Sequence, residues 1–265
     1  MTSVAKIFAG ACLLIAGLFT VQAQADTLDK VLEKNTLRVG VALFTPWAIQ
    51  NEKGDTSGFD VDIAKKLATD MGVNPDIKVY EWEDIMPALD KGEIDVIAAG
   101  LAVTPKRALR LEFSNPYSES GVGLATNIEK TKHINSLAEL NSDKITIAVV
   151  NDSIGASLAP SVFKKAKIQT FDTAKEAEAA VLKGKAHGYV ASQAVVRFFA
   201  LDNSDTIDVP LPEPLLSYKV SFGVRKGDQA LLNFLNAWVT ARTADRWLPA
   251  TQDYWFDSLE WREAQ

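Results

Sequence analysis

The chain has 265 residues, 28 basic against 34 acidic side chains, a net charge of −6 and 47% hydrophobic residues. An acidic balance without a basic run argues against nucleic acid as a partner. One cysteine and two histidines argue against a disulfide framework or a Cys/His metal centre.

The opening residues have the order of an export signal. A single Lys6 precedes an apolar stretch from Ile7 to Val21, closed by Ala23-Gln24-Ala25. The stretch is short of the ~20 residues a membrane span needs. Cys12 sits early in it, where a lipoprotein anchor would need it at the end. Cleavage after Ala25 is therefore expected, giving an exported, periplasmic chain that is not membrane-embedded and is monomeric. Removing the leader takes Lys6 and the cysteine, so 27 basic residues face 34 acidic ones and the charge becomes −7. His133 and His187, in unrelated contexts, suggest no metal site, and no cofactor is expected.

Thr36 to Ala42, TLRVGVA, has the look of a buried strand. FDVDIAKKLATDM then places Phe59, Ile63, Leu67 and Met71 on one helical face and Asp62, Lys65, Lys66 and Asp70 on the other. Asp60 and Asp62, at the start of this helix, are expected to cap and solvate it. DIKVY predicts a strand, WEDIMPALDK a helix stopped by Gly92, and DVIAA another strand. Alternating strands and helices define an α/β unit on a mainly parallel sheet.

The same order restarts near residue 145. KITIAVV predicts a strand, Ile154 to Ala166 a helix bent by Pro160, KIQTF a strand, AKEAEAAVLK a helix and HGYVA a strand. GVGLATN (Gly121 to Asn127) and YKVSFGV (Tyr218 to Val224) suit a two-strand hinge. The expected lobes are 26–122 with 220–265, and 123–219, with residues 1–25 as leader. The helix LLNFLNAWVTARTADRWL should pack on the first lobe, with Trp238, Trp247, Trp255 and Trp261 as packing residues. A weak internal echo sets Leu89-x-x-Gly92 and IDVIAAG beside Leu182-x-Gly184 and AHGYVAS. It puts Gly100 and Ser192 at equivalent strand ends, where open α/β sheets bind ligands.

The segment AAGLAVTPKRALRLEFSNPY carries most of the chemistry. Thr104 can cap a helix whose first residue is Pro105, and Arg107 falls in its first turn. Free N–H groups, the positive helix end and a guanidinium fork together make a receptor for carboxylate or phosphate. The competing reading pairs Arg107 with Glu112 or another surface acid. Asn151-Asp152-Ser153 opens a second helix, with Asp152 and Ser153 facing the same anion or serving only as caps. Phe44 and Trp47, flanking Pro46, and Trp82 follow strand ends on the cleft side and would supply apolar walls.

These stretches, in order, resemble the amino-acid-type family of periplasmic solute-binding proteins of ABC transporters (bacterial family 3, type II fold). The matching pieces are LRVGV…TPW, GFDVDIAKKLA, IMPALDKGEIDVIAAG, TPKR and EFSNPY, covering nearly the whole mature chain. The resemblance implies two lobes closing on a small carboxylate-bearing or amino-acid ligand and delivery to an inner-membrane ABC permease. It also implies that Arg107 grips the ligand carboxylate, Phe44 and Trp82 sandwich its side chain, Gly100 offers a backbone contact and Ser153 supports the carboxylate. On the ammonium side the chain departs from the family: Ala102 stands for a Ser or Thr, Ser192 for an Asp, and Val41 for an acid found in some members. The nearest acids by sequence are Asp152 and Glu81.

Two other functions share the cleft. Some exported relatives of this family are cyclohexadienyl dehydratases, whose chemistry needs a general acid; the matching position here is Val195, so no catalytic residue is expected. A ligand-presenting partner of a sensor kinase or chemoreceptor would use the same site. No Ser-His-Asp set, cysteine nucleophile, P-loop or dinucleotide glycine pattern is present.

Overall fold

The computed structural model describes residues 26–263, so the expected leader, residues 1–25, lies outside the described residues. Two sheets carry the fold. The first is centred on Thr36–Ala42, which pairs in parallel with Asn74–Tyr80 and with Val96–Ile97. The strand is buried on both faces, Leu37, Val39 and Val41 on one and Gly40 and Ala42 on the other, as expected in a mainly parallel α/β sheet. Gly223–Arg225 pairs antiparallel with Val96–Ile97 and, on its other side, with Leu111–Phe113, which completes the sheet. Arg38 fixes its rim, reaching Asp95 with Nη2 to Oδ1 at 2.5 Å and Nε to Oδ2 at 3.0 Å.

Helix Phe59–Met71 occupies the expected span. Phe59, Ile63 and Leu67 are fully buried against the first sheet, as the four-residue spacing requires. The expectation for its acids is corrected. Asp60 is fully buried rather than solvated, and the N-cap, Gly58, has no side-chain cap. Asp62 accepts from Trp255 Nε1 at 2.8 Å. Helix Trp82–Asp90 ends before Gly92, also as expected.

In the second sheet, Thr146–Val150 runs parallel to Lys167–Phe171 and to Gly188–Ser192. The long strand Ser118–Asn127 pairs antiparallel with Gly188–Ser192, Ile207–Asp208 and Leu216–Val220. Gly121 to Asn127 therefore lies wholly within this sheet, and the chain passes between the sheets earlier. Residues 114–117 and 220–222 run side by side there. Ser114 N donates to Phe222 O at 3.1 Å and Tyr117 N to Val220 O at 2.9 Å.

The helix expected over Ile154 to Ala166 stops at Val162, two residues past Pro160, with Phe163 as its C-cap. A helix absent from the sequence expectation, Gln193–Asp202, is capped by Ser192 Oγ, which accepts from Val195 N at 3.4 Å. The C-terminal helix is two pieces, Gln229–Ala244 and Trp247–Gln252. They are separated at Asp245 and Arg246, where Arg246 has φ 67° and Asp245 Oδ1 accepts from Trp247 N. One π-helical turn, Asp253–Asp257, and a short helix, Glu260–Glu263, follow.

This terminal segment joins the two halves. Trp238 Nε1 donates to Asp70 Oδ2 and Trp255 Nε1 to Asp62 Oδ2, tying it to helix Phe59–Met71. On the other side Arg197 Nη1 donates to Phe256 O at 2.6 Å, Arg262 pairs with Asp202, and Trp261 packs on Phe198 with centroids 5.4 Å apart. Trp238, Trp255 and Trp261 are all buried in packing.

Candidate functional site

One cavity lies between the sheets, walled by residues that the sequence scatters over 175 positions from Phe44 to Tyr218. Phe44, Trp47, Trp82, Gly100, Ala102 and Arg107 come from the first half, and Ser153 and Ser192 from the second. Its volume is about 50 Å³, room for only a handful of waters at ~10–15 Å³ each. Eight of the nine expected residues thus meet around it. Asp152 does not line it. Its carboxylate lies 3.9 Å from Lys106, in solvent, and only its backbone carbonyl turns inward to accept from Arg107 Nη2 at 3.0 Å. Glu81 is exposed and Val41 is buried in its strand, so neither contributes.

Arg107 is built into place from its sequence neighbours upward. Thr104 caps helix Pro105–Ala108 and accepts from Arg107 N at 3.2 Å, so the side chain leaves the first turn toward the cavity. Nη1 donates to Ala102 O at 3.1 Å, and the guanidinium carbon lies 5.1 Å from the Trp82 ring centroid. The residue is only 7% exposed. Burial lowers its pKa, against the pull of Tyr218 and Asp152, but an arginine stays charged in proteins. Glu112 is not its partner; among the described residues no carboxylate forms an ion pair with Arg107. What holds it are two carbonyls and an aromatic face, which leaves N–H groups for an incoming anion.

Gly100 forms the cavity floor in a conformation with φ 57°. A Cβ there would lie 2.9 Å from Trp47 Cδ2, so glycine is required by both backbone and space. Its N–H donates to Asp60 Oδ2 at 2.6 Å, from behind the floor. Burial pushes the Asp60 carboxyl up to about 7, although the bonds from Tyr117 and Gly100 favour the charged form.

The second half presents two helix starts. Ser153 Oγ accepts from Ala156 N at 3.1 Å, and Ile154 and Gly155 also line the cavity. Ser192 Oγ accepts from Val195 N and, across the cleft, from Trp47 Nε1 at 3.5 Å. Sequence reasoning missed Tyr218, whose hydroxyl is within hydrogen-bond reach of Ser120 and Ser192 and whose pKa burial raises. It also missed Tyr189 and the apolar Val150, Ile154 and Val195. Tyr218 was legible only as one residue of an alternating strand. Its inward direction depends on pairing with Ser120 in the neighbouring strand.

Two α/β halves, joined by paired crossing segments and sharing a cleft with a buried arginine, define a two-lobed binding protein of the type II periplasmic fold. Residues 37–258 match the model for bacterial extracellular solute-binding proteins, family 3, and the chain belongs to that family. Among its relatives is the octopine-binding periplasmic protein of Rhizobium meliloti, 28% identical over 244 residues, covering 83% of this chain and 81% of the relative. The cyclohexadienyl dehydratase of Pseudomonas aeruginosa is 28% identical over 159 residues, 60% of this chain and 59% of the enzyme. A binding component of an ABC transporter from Wolinella succinogenes, complexed with lysine, superimposes with a TM-score of 0.81. It is 29% identical and covers 87% of this chain and 99% of that one.

Proposed function

We propose that this protein is the periplasmic binding component of an ABC importer and closes its two lobes on a small carboxylate-bearing metabolite, an amino acid or related organic acid. The observation that carries this is Arg107, buried in the cleft with no acid paired to it among the described residues. The ligand carboxylate docks on Arg107 and on the helix start at Ser153, while Phe44, Trp47 and Trp82 wall its body. Ser192 and Gly100 contact it from opposite lobes. Taking each segment with the sheet it joins, we assign residues 26–117 with 221–263 to one lobe and 118–220 to the other. The closed form is what an inner-membrane permease would recognise, and the protein acts as a monomer exported by its cleavable leader. Among the described residues, no helix is long and apolar enough to cross a membrane.

The dehydratase reading is weaker on one specific ground. Among the described residues no Asp, Glu or His lines the cavity, and Val195 holds the position that the resemblance to the dehydratases gives to the general acid. A thermal-shift panel on refolded protein, with amino acids, dicarboxylates, aromatic acids and prephenate, tests the binding reading. Bound ligand raises the melting temperature by linkage. Stabilisation by one class of carboxylate, absent in Arg107→Ala, is the expected result. Conversion of prephenate without stabilisation by other acids would overturn the binding role.

A further inference from the structure

Among the described residues, the side chains around the cavity supply one cation and no anion: Arg107 is the only charged one that lines it. Helices Ile154–Val162 and Gln193–Asp202 both begin at its wall, each directing a positive helix end inward, worth roughly half an elementary charge. Neither helix has an acidic residue in its first turn to offset that field.

The uncharged groups point the same way. Ser192 Oγ already accepts from Val195 N and Trp47 Nε1, so toward any further partner, the Tyr218 hydroxyl or a ligand, it can only donate its O–H. The Trp82 indole N–H, a donor only, is buried without a hydrogen-bond partner among the described residues, and Trp82 belongs to the cavity wall. Two acids beside the site are committed elsewhere, and a third, Glu178, acts on Tyr189 without lining the cavity. Asp60 holds Tyr117 and Gly100 N behind the floor, and Asp152 faces Lys106 in solvent. An ammonium group in this cavity would be stripped of water in a positive field with no ionised partner, a costly state.

We infer that the ligand carries an oxygen acceptor where an amino acid carries its α-ammonium, as in a 2-oxo acid. This inference rests on the proposed cleft function and narrows it. The carboxylate lies against Arg107 and Ser153, and the second acceptor meets the donor side of Ser192 with Trp82 Nε1 or Tyr218 nearby. Specificity then comes from donors left unpaired by the wrong ligand, which discriminates strongly between close analogues.

Calorimetric titration of refolded protein with matched pairs tests this. The pairs are leucine and 4-methyl-2-oxopentanoate, phenylalanine and phenylpyruvate, and glutamate and 2-oxoglutarate. In whichever pair binds, the 2-oxo acid should bind at least tenfold more tightly. Ser192→Asp, which preserves a good helix cap, should move that ratio at least tenfold toward the amino acid. A wild-type ratio below tenfold, or an unchanged ratio in Ser192→Asp, overturns the inference. If an amino acid binds more tightly and Arg107→Ala abolishes that binding, the cleft function survives alone. No binding by either member of any pair overturns both.

Discussion

Tyr117 Oη donates to Asp60 Oδ1 at 2.8 Å, and through that bond the segment crossing between the sheets is tied to the floor of the cavity. Gly100 N occupies the other carboxylate oxygen at 2.6 Å. Both residues are buried, and neither bond reaches solvent.

This arrangement makes stability depend on pH in a defined direction. Asp60 has a pKa of about 7 in the folded chain, raised by burial from an ordinary value of 3.8. The folded state therefore holds a proton that the unfolded chain releases. Stability from this group is fully present below the ordinary carboxylate range and is lost as pH rises through about 7. Glu178, raised to about 7 by burial and by Asp202, acts with the same sign. Denaturation between pH 5 and pH 8 should show a fall of a few kcal/mol. Asp60→Asn should flatten much of it, since an amide can still accept from Gly100 N and donate to Tyr117 Oη. A slope of the opposite sign would contradict the buried placement of both acids.

Arg107→Ala should weaken ligand binding by roughly 2–5 kcal/mol, because a desolvated charged partner is left without its counterpart. Arg107→Lys should recover only part of this, as an ammonium cannot span Ala102 O, Asp152 O and a carboxylate together. Titration calorimetry of the two variants gives the comparison.

Gly100→Ala adds a methyl 2.9 Å from Trp47 in a left-handed backbone conformation. The expected cost is about 1–3 kcal/mol of stability, together with weaker binding as Trp47 is displaced from the wall. Urea denaturation and calorimetry on one preparation measure both.

Trp261→Ala combined with Arg262→Ala removes the contacts of the terminal segment with Phe198 and Asp202. The unliganded variant should scatter X-rays as a more open particle than the wild type, with the two converging once ligand is added. Identical unliganded profiles would mean that this segment does not influence the lobe angle.

Much of this was legible in the chain. Helix Phe59–Met71 follows from apolar spacing, and the Thr104–Pro105–Arg107 turn from capping chemistry, because both are local. Asp60 misleads because an acid in a first turn ordinarily caps or faces water; only the third dimension brings Tyr117 and Gly100 to it. QAVVRFFALD conceals a helix because its β-branched and aromatic residues suit a strand equally well. The break at Arg246 lies inside an unbroken apolar pattern and carries neither glycine nor proline.

The bridge from Asp62 and Trp255 through Phe256 to Arg197 and Trp261 is made entirely of contacts within the chain. Contacts of this kind, where they hold in the empty chain, raise the share of time it spends in the competent shape. The larger that fraction, the smaller the loss in apparent affinity from waiting for closure. The same fraction sets the background that a shape-reading permease receives from unloaded molecules. Retention of a scarce solute and contrast between loaded and empty messengers are thus set against each other by a few residues at the end of the chain.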